Sequence, residues 1–130
     1  MGEYVGFQER FLKFSSVTNS FSTNEASLRC DFSDSSQATL NFRWKDFSDE
    51  TQSLDGVYFS DDDGSSFVKV YDFNGSVTPD GVWQSVALDI DALAAMHGLS
   101  LNGLFVIRFQ QFDNFQIPID GIAIDQLSIL

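Results

Sequence analysis

A chain of 130 residues is one domain, long enough to bury a sizeable core, and its 43% hydrophobic content excludes intrinsic disorder. Seven basic against nineteen acidic residues leave a formal charge of −12, which repels phosphate backbones and anionic lipid and argues against nucleic acid and membrane as partners. No apolar run reaches the ~18 residues of a membrane helix, and the lone Cys30 permits neither an internal disulfide nor a thiolate metal cluster.

Residues Tyr4 to Phe14 alternate loosely and suit a first strand. Ser15 to Glu25 is rich in Ser, Thr and Asn and reads as loop. Ala26 to Phe32 is a short strand carrying Cys30 as a small core residue, and Ser33 to Gln37 a turn. From Ala38 to Phe47 the alternation is clearest: Ala38, Leu40, Phe42 and Trp44 share one face, and Thr39, Asn41, Arg43 and Lys45 the other. Ser48 to Asp55 is an acidic loop. Gly56 to Ser60 and Ser66 to Phe73 flank DDDG as the arms of a hairpin. Asn74 to Gly81 is a second loop, followed by a strand from Val82 to Ile90. Asp91 to His97 suits one or two helical turns, with Asp91 as N-cap and Gly98 as the stop. Leu104 to Phe112 and Gly121 to Leu130 finish the chain and read as adjacent strands of one sheet.

About eight short strands with almost no helix predict an all-β protein, a two-sheet antiparallel β-sandwich spanning residues 1–130. Absence of the immunoglobulin Cys–Trp–Cys pattern favours a jelly roll. Phe42, Trp44, Phe105, Ile107 and Phe109 are the expected core. The 14 Phe residues carry much of the burial, each worth about 1.5–3 kcal/mol when fully buried.

Enzyme readings find little support. The single histidine, His97, ends a helical turn, where a cationic ring complements the helix dipole. There is no nucleophile elbow, zincin or phosphate-loop motif. Glycoside hydrolysis needs two carboxylates facing across a cleft. The chain has only Glu3, Glu9, Glu25 and Glu50, three of them in the N-terminal quarter. Asp46, Asp49, Glu50 and Asp55 crowd one loop, which reads as a solvated charged loop or as the rim of a hydroxyl-binding site.

Ser60 to Phe67, SDDDGSSF, fits S-x-D-x-G-x-x-aromatic and resembles the Asp-box hairpin of sialidase propellers and unrelated β modules. Asp62 can accept from backbone N–H groups across the turn and Gly64 can take a positive φ, so the motif reads as a fold staple with Phe67 pinned to the core. LDGVYFSDDDGSSFVKVY, VWQSVALDIDA and IRFQQFDNFQIPIDGIAIDQLSI together resemble jelly-roll modules appended to secreted bacterial proteins, related in pattern to carbohydrate-binding and MAM-like domains. The resemblance covers most of Phe42 to Leu130 and is strongest at the closing Asp120-Gly121-Ile122-Ala123-Ile124-Asp125. It implies a non-catalytic carbohydrate-binding module that targets an appended, secreted catalytic domain to a polysaccharide or oligosaccharide outside the cell. The alternative it implies is a protein–protein, adhesion or spacer module of MAM type. Met1-Gly2 then reads as a start added to an excised domain. The resemblance also implies a structural Ca²⁺ joining the last strand to the first, although Asp125-Gln126 stands where many relatives have two acids. Asp125 and Glu9 are the candidate metal ligands, with pairing to an arginine such as Arg10 the other way to satisfy Asp125.

Strand parity nominates a ligand face. Arg43 and Lys45 on one strand and Arg108 and Gln110 on another carry three of the seven basic residues on polar faces. If those strands are neighbours, forked donors line a groove for vicinal hydroxyls or a uronic carboxylate. Tyr58 and Phe112 would supply stacking planes, and Asp49 and Glu50 the rim.

Overall fold

The structure is a computed structural model that describes residues 4–5, 8–9, 12–14, 22–35, 37–47, 52–74, 81–113 and 121–130. Three short strands open the chain: β1 (Tyr4–Val5), β2 (Gln8–Glu9) and β3 (Leu12–Phe14). The longer strands follow: β4 (Ser22–Cys30), β5 (Thr39–Phe47), β6 (Gly56–Ser60), β7 (Val68–Asp72) and β8 (Gln84–Asp89). After helix α1 (Ile90–Met96) come β9 (Phe105–Asp113) and β10 (Gly121–Ile129). One sheet runs β3-β10-β5-β8 and the other β4-β9-β6-β7, all pairs antiparallel, while β1 and β2 form a separate hairpin. Counted from β3, the two orders are first-eighth-third-sixth and second-seventh-fourth-fifth. That alternation of successive strands between sheets is the jelly-roll arrangement of two Greek keys.

The alternation in β5 and β9 places the core. Leu40, Phe42 and Trp44 from β5 meet Phe105, Ile107 and Phe109 from β9, each 2% exposed or less. Phe42 stands edge-on to Phe109, centroid to centroid 5.2 Å, and also to Tyr71 at 5.8 Å and Phe73 at 6.2 Å. The negative ring faces thus meet positive ring edges. Trp44 buries an indole N–H, which donates to Tyr71 Oη at 3.1 Å across the core. Asn24 Nδ2 donates to the buried Gln111 Oε1 at 2.9 Å. Gly56 is required where it stands, because a Cβ there would strike the carbonyl oxygen of Tyr71 on the paired strand β7.

Three expectations need correction. The strand expected from Ala26 begins at Ser22, inside the stretch read as loop: Thr23, Glu25, Ser27 and Arg29 are exposed while Ala26, Leu28 and Cys30 turn inward, so small polar residues there form the solvent row of a strand. Asp89, not Asp91, caps α1, accepting from Ala92 N at 3.0 Å. Asp91 instead accepts from Ala38 N at 2.9 Å and ties the helix to the start of β5. Finally, β9 and β10 are not neighbours: they lie in opposite sheets.

Replacing Phe42 with Ala removes the ring on which three other aromatic contacts converge. Urea denaturation should show a loss of about 3–5 kcal/mol, as for other buried Phe-to-Ala changes. A loss below about 1 kcal/mol would mean that these contacts contribute little.

Candidate functional site

Because β5 and β9 face each other through the core, their polar rows point away from each other. Arg43 and Lys45 lie on the outer face of β3-β10-β5-β8, and Tyr58, Arg108, Gln110 and Phe112 on the outer face of β4-β9-β6-β7. The single groove expected from these residues is therefore two separate surfaces. Asp49 and Glu50 lie outside the described residues.

On the first surface, Arg43 lies directly across from Asp125 and its Nη2 donates to Asp125 Oδ2 at 3.1 Å. The Trp83 ring is close to both cations, 4.8 Å from the Arg43 guanidinium carbon and 4.6 Å from Lys45 Nζ. Parity along β10 changes at a bulge between Asp125 and Ser128, where Gln126 takes φ 52°. The extra residue lets Leu127 and Ile129 pack on the core beside Ile122 and Ile124 while Asp125 stays on the outer face. Strict alternation would put Asp125 on one face with Leu127 and Ile129; the bulge separates them.

The calcium expectation meets this geometry poorly. A Ca²⁺ shell takes six to eight oxygens. The described side chain at Asp125 is a guanidinium, with Lys45 opposite Ala123 two residues along, so a further cation there meets like charge. Glu9 pairs with Tyr4 in the β1–β2 hairpin, and its side chain lies outside the described residues. The described residues thus do not fit a metal shell at Asp125.

On the second surface the 52–55 turn takes up several of the expected ligand groups. Tyr58 Oη donates to Leu54 O at 2.8 Å and Gln110 Nε2 to the same carbonyl at 2.9 Å. Lys69 Nζ donates to Ser53 O at 3.0 Å and pairs with Asp72 at 2.6 Å. Asp55, fully buried, closes the arrangement: its Oδ1 accepts from Phe112 N at 2.7 Å and its Oδ2 from Gln52 N at 3.2 Å. Burial pushes the Asp55 carboxyl up to about 6 despite those two N–H donors and the nearby Lys69 ammonium. The Tyr58 phenol is also raised, first by burial and then by Asp55 and Asp72.

The rest of that surface is a cavity of about 480 Å³ lined by Ser27, Arg29, Asp63, Phe67, Val106 and Arg108. Its geometry starts from the SDDDGSSF hairpin. Asp62 Oδ1 accepts from Ser60 Oγ at 2.6 Å and Ser66 N at 2.9 Å, and Oδ2 from Ser66 Oγ at 2.5 Å. The hydroxyl of Ser60 foremost, then that of Ser66, holds the Asp62 carboxyl down to about 2. Asp63 and Gly64 take φ 58° and 88°, the left-handed pair that turns the chain. Asp61 joins this turn to the loop before β9, accepting from Ser100 N at 2.8 Å. Phe67 is not pinned to the core as expected. It lies on the outer face, with the Arg108 guanidinium 3.9 Å above its ring. Arg108 Nε donates to Ser27 Oγ at 3.3 Å, and Nη1 lies 3.4 Å from Glu25 Oε2. Arg29 pairs with Asp63 across the mouth.

Of the residues nominated by parity, only Arg108 lines this cavity. Ser27, Arg29 and Asp63 were missed, because the first half of β4 read as loop and the hairpin as a staple alone. Starting the alternation at Ser22 would have put Glu25, Ser27 and Arg29 in one outward row.

Two measurements follow from these placements. A folded-state carboxyl raised from 3.8 to about 6 binds more protons than the unfolded chain between those values, so its contribution to stability falls as pH rises through that window. The wild-type-minus-Asp55→Asn difference in unfolding free energy should therefore decline from about pH 4 to about pH 6 and level off above it; a difference independent of pH would place the Asp55 carboxyl in the ordinary range. Addition of a chelator should leave the melting temperature unchanged, and a fall restored by Ca²⁺ would return the metal to Asp125 or its surroundings. Comparison with known families, with curated proteins and with solved structures finds no match in any of the three.

Proposed function

We propose that the protein is a non-catalytic carbohydrate-binding module that takes an uncharged polysaccharide or oligosaccharide on the outer face of β4-β9-β6-β7. The observation that carries this is the Arg108 guanidinium, laid on Phe67 and held by Ser27 and Glu25 at the edge of a 480 Å³ cavity. With Nε on Ser27 and Nη1 beside Glu25, Nη2 is the nitrogen left to meet a ligand.

Each cation at the mouth has an acid beside it, Arg108 with Glu25 and Arg29 with Asp63. Donors and acceptors therefore alternate around the cavity. A sugar hydroxyl both donates and accepts, so it can bridge such pairs. A uronate or sulfate would meet the two carboxylates and the overall charge of −12 as well as the arginines. Electrostatics thus narrows the two earlier options to the neutral one. The same pairing supports a binding role over hydrolysis, since neither Glu25 nor Asp63 stands apart as a general acid. Among the described residues no helix is long and apolar enough to cross a membrane. A secreted, extracellular setting beside an appended catalytic domain goes with this reading, as the jelly-roll resemblance implies.

Affinity electrophoresis against neutral and acidic polysaccharides tests the proposal. Wild type should be retarded by a neutral polymer and not by a uronate-rich one. Arg108→Ala should weaken retention at least about tenfold, the scale of one charge-assisted hydrogen bond. Arg43→Ala, on the opposite surface, should leave it unchanged. Loss of retention in Arg43→Ala alone would move the site to the face that carries Trp83. Retention unaltered in a folded Arg108→Ala would remove the cavity from the binding site.

A further inference from the structure

Among the described residues, four strands lie at the edges of the two four-stranded sheets, and three of them are poor templates for pairing. β3 has three residues, β8 has six, and β7 has five and pairs through a bulge, with Lys69 on its outer face. The fourth, β4, is nine residues long, holds unbroken register with β9 from Ser22 to Cys30, and contains no Pro, Gly or Lys. Among the described residues, no strand pairs with its other side. Such an edge presents a row of backbone donors and acceptors, and its only two charged residues, Glu25 and Arg29, are of opposite sign.

We propose that this edge joins a second copy of the chain, β4 to β4 in antiparallel fashion about a two-fold axis through Ser27. The register follows from three constraints. An isologous contact pairs each residue i with j and j with i. Backbone groups point alternately toward β9 and toward the open edge, and side chains alternate between faces, so the two strands mate in phase only when the axis passes through a residue. Charge then selects among those residues. An axis at Glu25 or at Arg29 sets like charges opposite each other. An axis at Leu28 sets Glu25 against the partner's Asp31, and one at Ala26 gives Glu25 only the partner's Ser27. An axis at Ser27 sets Glu25 against the partner's Arg29 and Arg29 against the partner's Glu25, twice by symmetry.

The intramolecular pairs extend that match. Arg108 sits beside Glu25, and Arg29 beside Asp63, in each copy. Across the axis the row becomes Arg108, Glu25, the partner's Arg29 and the partner's Asp63, with the signs alternating throughout. The two four-stranded sheets merge into one of eight, with both 480 Å³ cavities on the same outer face. Each cavity then gains Glu25 of the partner subunit beside its own Arg29. The dimer does not depend on what the cavity binds.

Analytical ultracentrifugation of the whole chain tests the association, and crosslinking tests the register. Wild type should sediment as a dimer at high micromolar concentration. Glu25→Arg and Arg29→Glu should each weaken the dimer at least about tenfold by placing like charges across the axis. The double variant should recover it. In a Cys30→Ser background, Ser27→Cys should form an intermolecular disulfide on mild oxidation, because directly opposed antiparallel residues have Cα atoms about 4.5–5.5 Å apart, within disulfide reach. Ser85→Cys on β8 should not crosslink. A monomer throughout the concentration range overturns the proposal. So does a dimer in which Ser27→Cys crosslinks no faster than Ser85→Cys, whatever the charge variants do to folding.

Discussion

The edge-to-face contact between Phe42 and Phe109, 5.2 Å from centroid to centroid, sets what the rest of the molecule can do. It joins the two sheets through strands that each carry a strict inward row. Once Phe42 and Phe109 face each other, Arg43 and Arg108 must point to opposite sides of the sandwich, because side chains alternate along a strand. Two arginines with the same local pattern thereby acquire different neighbours: Asp125, Lys45 and Trp83 for one, and Phe67, Ser27 and Glu25 for the other.

The outer face of β4-β9-β6-β7 divides into a closed half and an open half. In the closed half, Tyr58 and Gln110 share the Leu54 carbonyl, Lys69 holds Ser53, and Asp55 accepts from Gln52 N at the start of the turn and from Phe112 N on β9. These bonds satisfy polar groups that would otherwise compete for water or ligand. They also leave a buried carboxylate whose raised proton affinity is the cost of closing that half. Among the described residues no such turn covers the open half, and its arginines are each held by a contact on their own chain.

Much of the fold was legible because hydrophobic parity is a local property. The inward rows at Phe42–Trp44 and Phe105–Phe109, the DDDG hairpin and the scarcity of helix could all be read along the chain. Sheet membership is not local, and so the Leu104–Phe112 and Gly121–Leu130 strands read as neighbours when the jelly-roll crossing separates them. The bulge in β10 did leave a trace: Ile122, Ile124, Leu127 and Ile129 are spaced two, three and two, and a single step of three within an alternating strand requires one extra residue. Gln126 is that residue, and its left-handed backbone explains why Asp125 and Leu127 can both be satisfied. The candidate cavity was less legible. It combines β4, the SDDDGSSF hairpin and β9, three segments that only the sheet order brings together.

On both faces an aromatic ring lies against a guanidinium, Trp83 with Arg43 and Phe67 with Arg108. At a partly exposed site such a contact is worth about 0.5–1 kcal/mol, too little to hold the fold together. Its larger effect is on side-chain freedom. An arginine free in solution has rotamer entropy worth about 2 kcal/mol to lose on binding. Arg108 has already lost part of that freedom to Phe67, Ser27 and Glu25, so less would remain to be lost to a ligand of the proposed kind at Nη2. Arg43 is also held, but by a carboxylate that accepts from its own Nη2, the nitrogen that Arg108 keeps available. Arg108 is therefore oriented with donors to spare, whereas Arg43 is oriented toward a partner within its own sheet.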